Sequence, residues 1–154
     1  MASALNGWIG DVERFTTISK LWRYSGMGVT EEGRAEKRAR GEKLHYNPHM
    51  KTLCWKIGES FVKTKGGYRE LYDQFRSEYD EKWKTGDDCG SPTCKKNKNK
   101  CYDMHRFMAA KRKTVKVFLA HYWQKAREIK GLPVENVFII GRDAHSHTIP
   151  IIEK

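Results

Sequence analysis

Four side chains of the kind that bind metals crowd one short stretch of this chain, and they constrain its folding more than any other feature. Cys89-Gly-Ser-Pro-Thr-Cys94 is followed by Lys95-Lys-Asn-Lys-Asn-Lys100 and then by Cys101-Tyr-Asp-Met-His105. Cys101 and His105 are four apart at the start of a long helical pattern, so both project from one face about one turn apart. Gly90 and Pro92 let the Cys89/Cys94 loop fold back over them. The spacing C-x4-C-x6-C-x3-H then predicts a tetrahedral zinc site. Two other readings use the same residues: a half-buried Cys101 beside a solvated His105 with Cys89 and Cys94 as loop thiols, or a Cys89–Cys94 disulfide. The sequence shows no pattern of a secretory signal or a membrane span, which predicts a cytoplasmic chain whose thiols stay reduced, a setting that favours metal over disulfide. The fourth thiol, Cys54, sits inside an apolar helical pattern and is expected in the core.

Three thiolates and a neutral imidazole would leave a zinc site at about one negative charge. Lys95, Lys96, Lys98 and Lys100, which separate the two ligand pairs, favour the thiolate forms. With all four positions taken by protein ligands, the expected zinc is structural rather than catalytic.

Charge narrows the class of partner. Thirty basic residues against nineteen acidic ones give a formal net charge of +11, which costs self-repulsion in a compact chain unless a polyanion relieves it. The excess is uneven. Residues 34–43 carry five basic and two acidic side chains, residues 95–116 carry nine basic ones against Asp103 alone, and residues 66–88 carry seven acidic and four basic. Two basic patches around an acidic helix predict a polarised surface that binds nucleic acid, DNA or structured RNA.

Periodicity predicts a mainly α fold: a small helical domain of about four helices over residues 1–130, with the zinc loop at 86–105, and an extended tail over 131–154. A short helix is expected at 17–24, capped by Thr17 and ended by Gly26. A basic, glycine-bearing connector follows over 28–46. Asn47-Pro48 is a strong helix start, and Leu53, Cys54, Ile57, Phe61 and Val62 trace its apolar stripe. Gly66-Gly67 breaks that helix; Tyr68, Leu71, Tyr72, Phe75, Tyr79 and Trp83 mark the next. The last runs over 101–130, with Met104, Met108, Val115, Phe118, Leu119, Tyr122, Trp123, Ala126 and Ile129 apolar and Lys111-Arg112-Lys113 on or near the outside, and it stops at Gly131 and Pro133. The tail holds one strand-like run, 137–140, and then Asp143, His145 and His147, expected to lie at the surface or contact a partner, with a small-metal or acid-base cluster as the alternative reading.

Several segments in order resemble a known family. Ile9-Gly-Asp-Val-Glu-Arg-Phe15, Ile18-Ser-Lys-Leu-Trp-Arg-Tyr-Ser-Gly-Met27, Tyr46-Asn-Pro-His-Met-Lys51, the aromatic repeat over 68–79 and Ala109-Ala-Lys-Arg-Lys-Thr-Val-Lys116 are similar to the carboxy-terminal transposase domain of the Insertion Sequence 110 family. The resemblance covers roughly residues 7–130. It implies a piece of a DNA recombinase whose amino-terminal RuvC-like domain carries metal-binding acids and whose carboxy-terminal domain supplies a nucleophilic serine; some members are guided by a structured RNA. The acidic domain has no counterpart here. Where the family places its serine this chain has Gly28-Val-Thr-Glu-Glu-Gly33, with Thr30 the only hydroxyl, and Ser25 precedes Gly26. The resemblance therefore carries no nucleophile onto this chain.

The expected function is a noncatalytic, zinc-stabilised nucleic-acid-binding module. Arg34, Lys37, Arg38, Arg40 and Lys43 in the connector, with Lys95, Lys96, Lys98, Lys100, Lys111, Arg112 and Lys113, are the expected phosphate contacts. Trp22, Tyr24, Tyr46 and Tyr102 lie near basic residues and are candidates to stack on unpaired bases. Two alternatives remain: a recombinase subunit completed by a separate RuvC-like chain, and a structural protein of a ribonucleoprotein particle or virion.

Overall fold

The computed structural model describes residues 1–30, 35, 40–96 and 101–134, with the backbone alone at Lys95. Among these residues the chain is mainly helical and has no strand beyond a single antiparallel bridge between Val29 and Ala35. Six α-helices occur there: α1 (Ala2–Ile9), α2 (Ile18–Tyr24), α3 (Pro48–Lys63), α4 (Gly67–Lys82), α5 (Pro92–Lys95) and α6 (Asp103–Ile129), with a 3-10 turn at Val12–Arg14. Four of them match the expected set; α1 and α5 are additional. Neither announces itself locally. α1 has no capping side chain and no acid in its first turn, and α5 is a single turn behind Pro92. The run 137–140 and the Asp143, His145, His147 set lie outside the described residues.

The helix ends follow the local chemistry. At Asn47 the side-chain oxygen accepts from the N–H groups of His49 at 2.9 Å and Met50 at 3.1 Å, the cap that Pro48 at the first helical position completes. The same side chain donates from Nδ2 to the Tyr24 hydroxyl at 2.8 Å, and that hydroxyl donates to the Trp8 carbonyl at 2.8 Å. One asparagine thus caps α3 and ties it to the ends of α2 and α1. Gly26 takes φ 68°, a conformation that costs an L side chain strain. It lets the Met27 N–H reach the Trp22 carbonyl at 2.7 Å and its own N–H reach that of Arg23 at 3.1 Å. The same pair of bonds ends α6, from Leu132 to Arg127 and from Gly131 to Glu128, both at 3.0 Å.

The described residues group into two compact units, one made of those in Met1–Ile57 and 115–134, the other of those in Gly58–Thr114. The first has an ample apolar core that includes Ile9, Leu21, Met50, Leu119 and Trp123. Its amino-terminal segment and the end of α6 are joined by polar bonds. Trp123 Nε1 donates to the Phe15 carbonyl at 2.7 Å, Arg127 Nη1 donates to the same oxygen at 3.4 Å, and Lys130 pairs with Asp11 at 2.7 Å.

The Gly58–Thr114 unit is built differently. Among its described residues the large buried apolar side chains are Leu71, Tyr72 and Phe75 from α4, and small Ala110 of α6 is buried as well. Ion pairs supply further ties: Arg76 to Asp80 and Asp103, Arg106 to Asp80 at 3.0 Å, Lys113 to Glu78 at 2.7 Å, and Lys111 to Glu59. The acids of α4 therefore serve largely as internal partners for cations rather than as a separate acidic face.

Two expectations about α6 need correction. Lys111 is not on the outside; it is only 4% exposed, because Glu59 neutralises its ammonium. Met104, Met108 and Ile129 are exposed instead of apolar core. One buried row passes through Ala110, Thr114, Val117 and His121 at spacings of four, three and four. Small and polar residues hold core positions there, and Thr114 satisfies its hydroxyl on the Ala110 carbonyl at 3.0 Å.

Replacing Asn47 by alanine removes the cap and the bridge to Tyr24, and urea denaturation should show about 1–2 kcal/mol lower stability; Asn47→Asp, which keeps the capping oxygen, should lose less. A second expectation concerns acid. The hydrogen bond from Lys111 holds the Glu59 carboxyl below its usual value of 4.5. A depressed carboxylate pKa stabilises the fold above the unfolded value and loses that contribution as pH falls through the folded one. Stability should therefore drop below about pH 4.5, and the drop should be shallower in Lys111→Gln.

Candidate metal centre

The segment between α4 and α6 is shaped by backbone bonds before its ligands are considered. After Trp83 closes α4, the Thr85 N–H donates to Asp88 Oδ2 at 2.6 Å and the Asp88 N–H donates back to Thr85 Oγ1 at 3.3 Å. This reciprocal turn delivers Cys89. Gly90, at φ 63°, reverses the chain, and Pro92 opens the one-turn helix that carries Cys94 inward. The Cys101 N–H donates to the Lys84 carbonyl at 3.2 Å, which brings the third cysteine back to the end of α4. The Tyr102 carbonyl accepts from the N–H groups of His105 at 3.0 Å and Arg106 at 3.4 Å, so His105 lies in the first turn of α6.

These bonds bring the four predicted ligands together. One ligand atom from each of Cys89, Cys94, Cys101 and His105 lies within 4.8 Å of the others, and they could hold a metal ion. Cys94 Sγ is 3.6 Å from Cys101 Sγ and 3.3 Å from His105 Nδ1, and Cys101 Sγ is 3.7 Å from the same nitrogen. Cys94 and Cys101 are fully buried. No disulfide joins any of the four cysteines, and Cys54 is buried in the other unit, as its apolar pattern predicts.

Electrostatics of the cluster favour a cation. Burial is the largest influence on Cys94 and opposes its thiolate, but the Tyr102 backbone N–H and hydrogen bonds with Cys89, Cys101 and Ser91 outweigh it and lower its pKa. Cys101 goes the other way: burial first, then the neighbouring Cys89 and Cys94 sulfurs, push its thiol up to about 12. Sulfurs this close cannot all ionise without a compensating positive charge, and a metal ion is the charge that a thiolate cluster accepts.

A second layer of residues, which sequence reasoning missed, orients the ligands. The Trp83 ring stacks on the His105 imidazole with centroids 5.1 Å apart and planes 24° from parallel, and Tyr79 packs on Trp83 at 4.4 Å. Arg76 grips the start of α6 through the Asp103 carboxylate and, at 3.2 Å, the Asp103 carbonyl. Periodicity places Trp83 only on the apolar face of α4; its contact with His105 spans residues too far apart for helical periodicity to pair them.

The expected phosphate contacts are placed variously. Arg40, Lys43 and Lys96 are exposed, Arg112 is half-buried, Lys113 pairs with Glu78, and Lys111 is buried on Glu59. Arg34, Lys37, Arg38, Lys98 and Lys100 lie outside the described residues, as does the side chain of Lys95. Ser25 is fully buried and its hydroxyl has no hydrogen-bond partner among the described residues, whereas Thr30 is exposed.

Cys94→Ala and Cys101→Ala should each abolish the metal content of the purified protein in elemental analysis, while Cys54→Ala should retain it. Metal retained in the first two variants would dismiss this ligand set. Compared with family models, curated proteins and solved structures, the chain matches none.

Proposed function

We propose that the chain is a noncatalytic nucleic-acid-binding module whose Gly58–Thr114 unit is held together by a structural zinc ion. The observation that carries this reading is the Cys89, Cys94, Cys101, His105 donor set. In a regular tetrahedron, zinc–sulfur bonds of about 2.3 Å and zinc–nitrogen bonds of about 2.0–2.1 Å separate two sulfurs by about 3.8 Å and a sulfur from a nitrogen by about 3.6 Å. Among Cys94, Cys101 and His105 the separations of 3.6, 3.3 and 3.7 Å lie near those values, and the full set with Cys89 lies within 4.8 Å. Three cysteines and a histidine suit zinc among common divalent ions, and four protein donors complete its coordination. The ion would neutralise the thiolates and fasten the Cys89–Cys94 turn to the start of α6.

Nucleic acid as the partner is supported by the net charge of +11 and by exposed Arg40, Lys43 and Lys96. Lys111, bound to Glu59, is not in the proposed contact set. The resemblance to the carboxy-terminal transposase domain of the Insertion Sequence 110 family points to the same class of partner. Burial of Ser25 weighs against that residue as a strand-transfer nucleophile, whereas Thr30 is exposed.

One preparation tests both halves. Protein purified without nuclease should contain about one zinc per chain and bind a polyanionic nucleic acid with an affinity that falls steeply with salt. Neutralising Arg40, Lys43 and Lys96 together should reduce the slope of log affinity against log salt by up to about 0.9 per lost contact on duplex DNA. An affinity indifferent to salt, or no binding at low salt, would sink the nucleic-acid reading and leave the metal site standing.

A further inference from the structure

We propose that the metal knuckle is itself a site for unpaired bases, with Tyr102 as its stacking platform; this rests on the nucleic-acid reading above and names the form of nucleic acid bound there. Four aromatic residues near basic side chains are candidates for stacking, and the structure separates them. Trp22 is buried, its Nε1 donates to the Lys116 carbonyl at 3.0 Å, and the Lys116 ammonium covers its ring at 4.1 Å. Tyr24 is half-buried, with its hydroxyl held by Trp8 and Asn47 and its ring against Phe15 at 5.2 Å. The face of Tyr46 is occupied by the Lys51 ammonium at 4.2 Å. Tyr102 differs: it is 46% exposed, and among the described residues its ring has no aromatic or cationic partner.

Position gives that exposure a use. Tyr102 lies between two ligands, Cys101 and His105, and its carbonyl is bound by the His105 and Arg106 N–H groups, so metal binding on either side fixes its backbone. Exposed Met104, two residues on, adds apolar surface to the same segment. Lys84, whose carbonyl anchors Cys101, and Lys96, two residues after Cys94, are exposed cations of the same knuckle. The acids nearby are partly engaged: Asp103 with Arg76 and Arg106, and Asp88 with Thr85, while Asp87 is exposed.

An exposed ring on a fixed backbone, in a knuckle that also carries exposed cations, suits a base whose face is open and whose phosphate is drawn to the same segment. Duplexes keep their base faces stacked internally, whereas single strands and loops present them. The ligand class is therefore single-stranded RNA or DNA. Stacking does not depend on base identity, so little sequence preference is expected.

The test uses zinc-loaded full-length chain and fluorescein-labelled oligo(dT), oligo(U) and a duplex of equal length, read by anisotropy. Tyr102→Ala should weaken single-strand binding about 5- to 150-fold, the range that base–aromatic stacking supports, and leave duplex binding unchanged. Tyr102→Phe, which keeps the ring, should bind like the wild type, as should Trp55→Ala, which removes an exposed aromatic of the other unit. Elemental analysis and thermal melting of Tyr102→Ala establish that the knuckle is intact. Equal loss on single strand and duplex, an unchanged Tyr102→Ala, or loss in Trp55→Ala instead would overturn the proposal. If wild-type protein binds neither form, the nucleic-acid reading itself fails; binding of both forms without dependence on Tyr102 removes this site alone. Oligo(dT) and oligo(U) separate DNA from RNA.

Discussion

Three sulfurs and one imidazole nitrogen within 4.8 Å of one another are the point on which the segment between α4 and α6 converges. Units under about 70 residues seldom bury enough apolar surface to hold themselves, and they recruit a staple such as a metal. The Gly58–Thr114 unit has, among its described residues, Leu71, Tyr72 and Phe75 as its large buried apolar side chains, while Cys94 and Cys101 occupy fully buried positions that aliphatic residues could have filled. Metal ligation there would replace missing hydrophobic packing. It would also explain why so much nearby structure converges on the ligands: Trp83 orients His105, Lys84 anchors Cys101, and Arg76 holds the first residue of α6.

The other unit solves the same problem with packing. Its core is richer, and its polar bonds decide which segments meet. The Phe15 carbonyl accepts from both Trp123 and Arg127, and Lys130 reaches Asp11 and Glu13. The indole and guanidinium are buried, so a misplaced Phe15 would leave buried donors unsatisfied, each at a cost of about 1–3 kcal/mol. The bonds enforce register more than they add net stability.

Helix boundaries and the ligand set were legible in the sequence because both rest on local chemistry. Asn47 caps, Gly26 and Gly131 take the left-handed turn, and Cys101 and His105 meet as their spacing suggests, although Cys101 lies just ahead of α6, on the Lys84 carbonyl, rather than on the helix face expected for it. What was not legible depends on distant partners. Lys111, Arg112 and Lys113 are interchangeable by pattern, yet Glu59, far away in sequence, draws Lys111 inside. Met104 and Met108 look like core but lie exposed, while Thr114 and His121 take buried places that a search for large apolar residues passes over. α1 was missed because it lacks local capping signals and relies on burying Leu5 and Ile9.

The ion pairs also decide where the positive surplus can act. An internal pair cancels one charge of each sign and leaves the net of +11 unchanged, so the surplus must reside on cations that pairing does not consume. Arg76, Arg106, Lys111 and Lys113 are tied to acids of α3, α4 or α6. The basic patch expected along the middle of α6 is thereby reduced. Exposed Arg40 and Lys43 in the connector and Lys84 and Lys96 in the knuckle keep their charge toward solvent. Both latter segments are outside the long helices, where phosphate contact disturbs no packed face. In the knuckle a metal-bound thiolate cluster would set the backbone under those cations, so metal affinity and polyanion affinity would share one folding equilibrium.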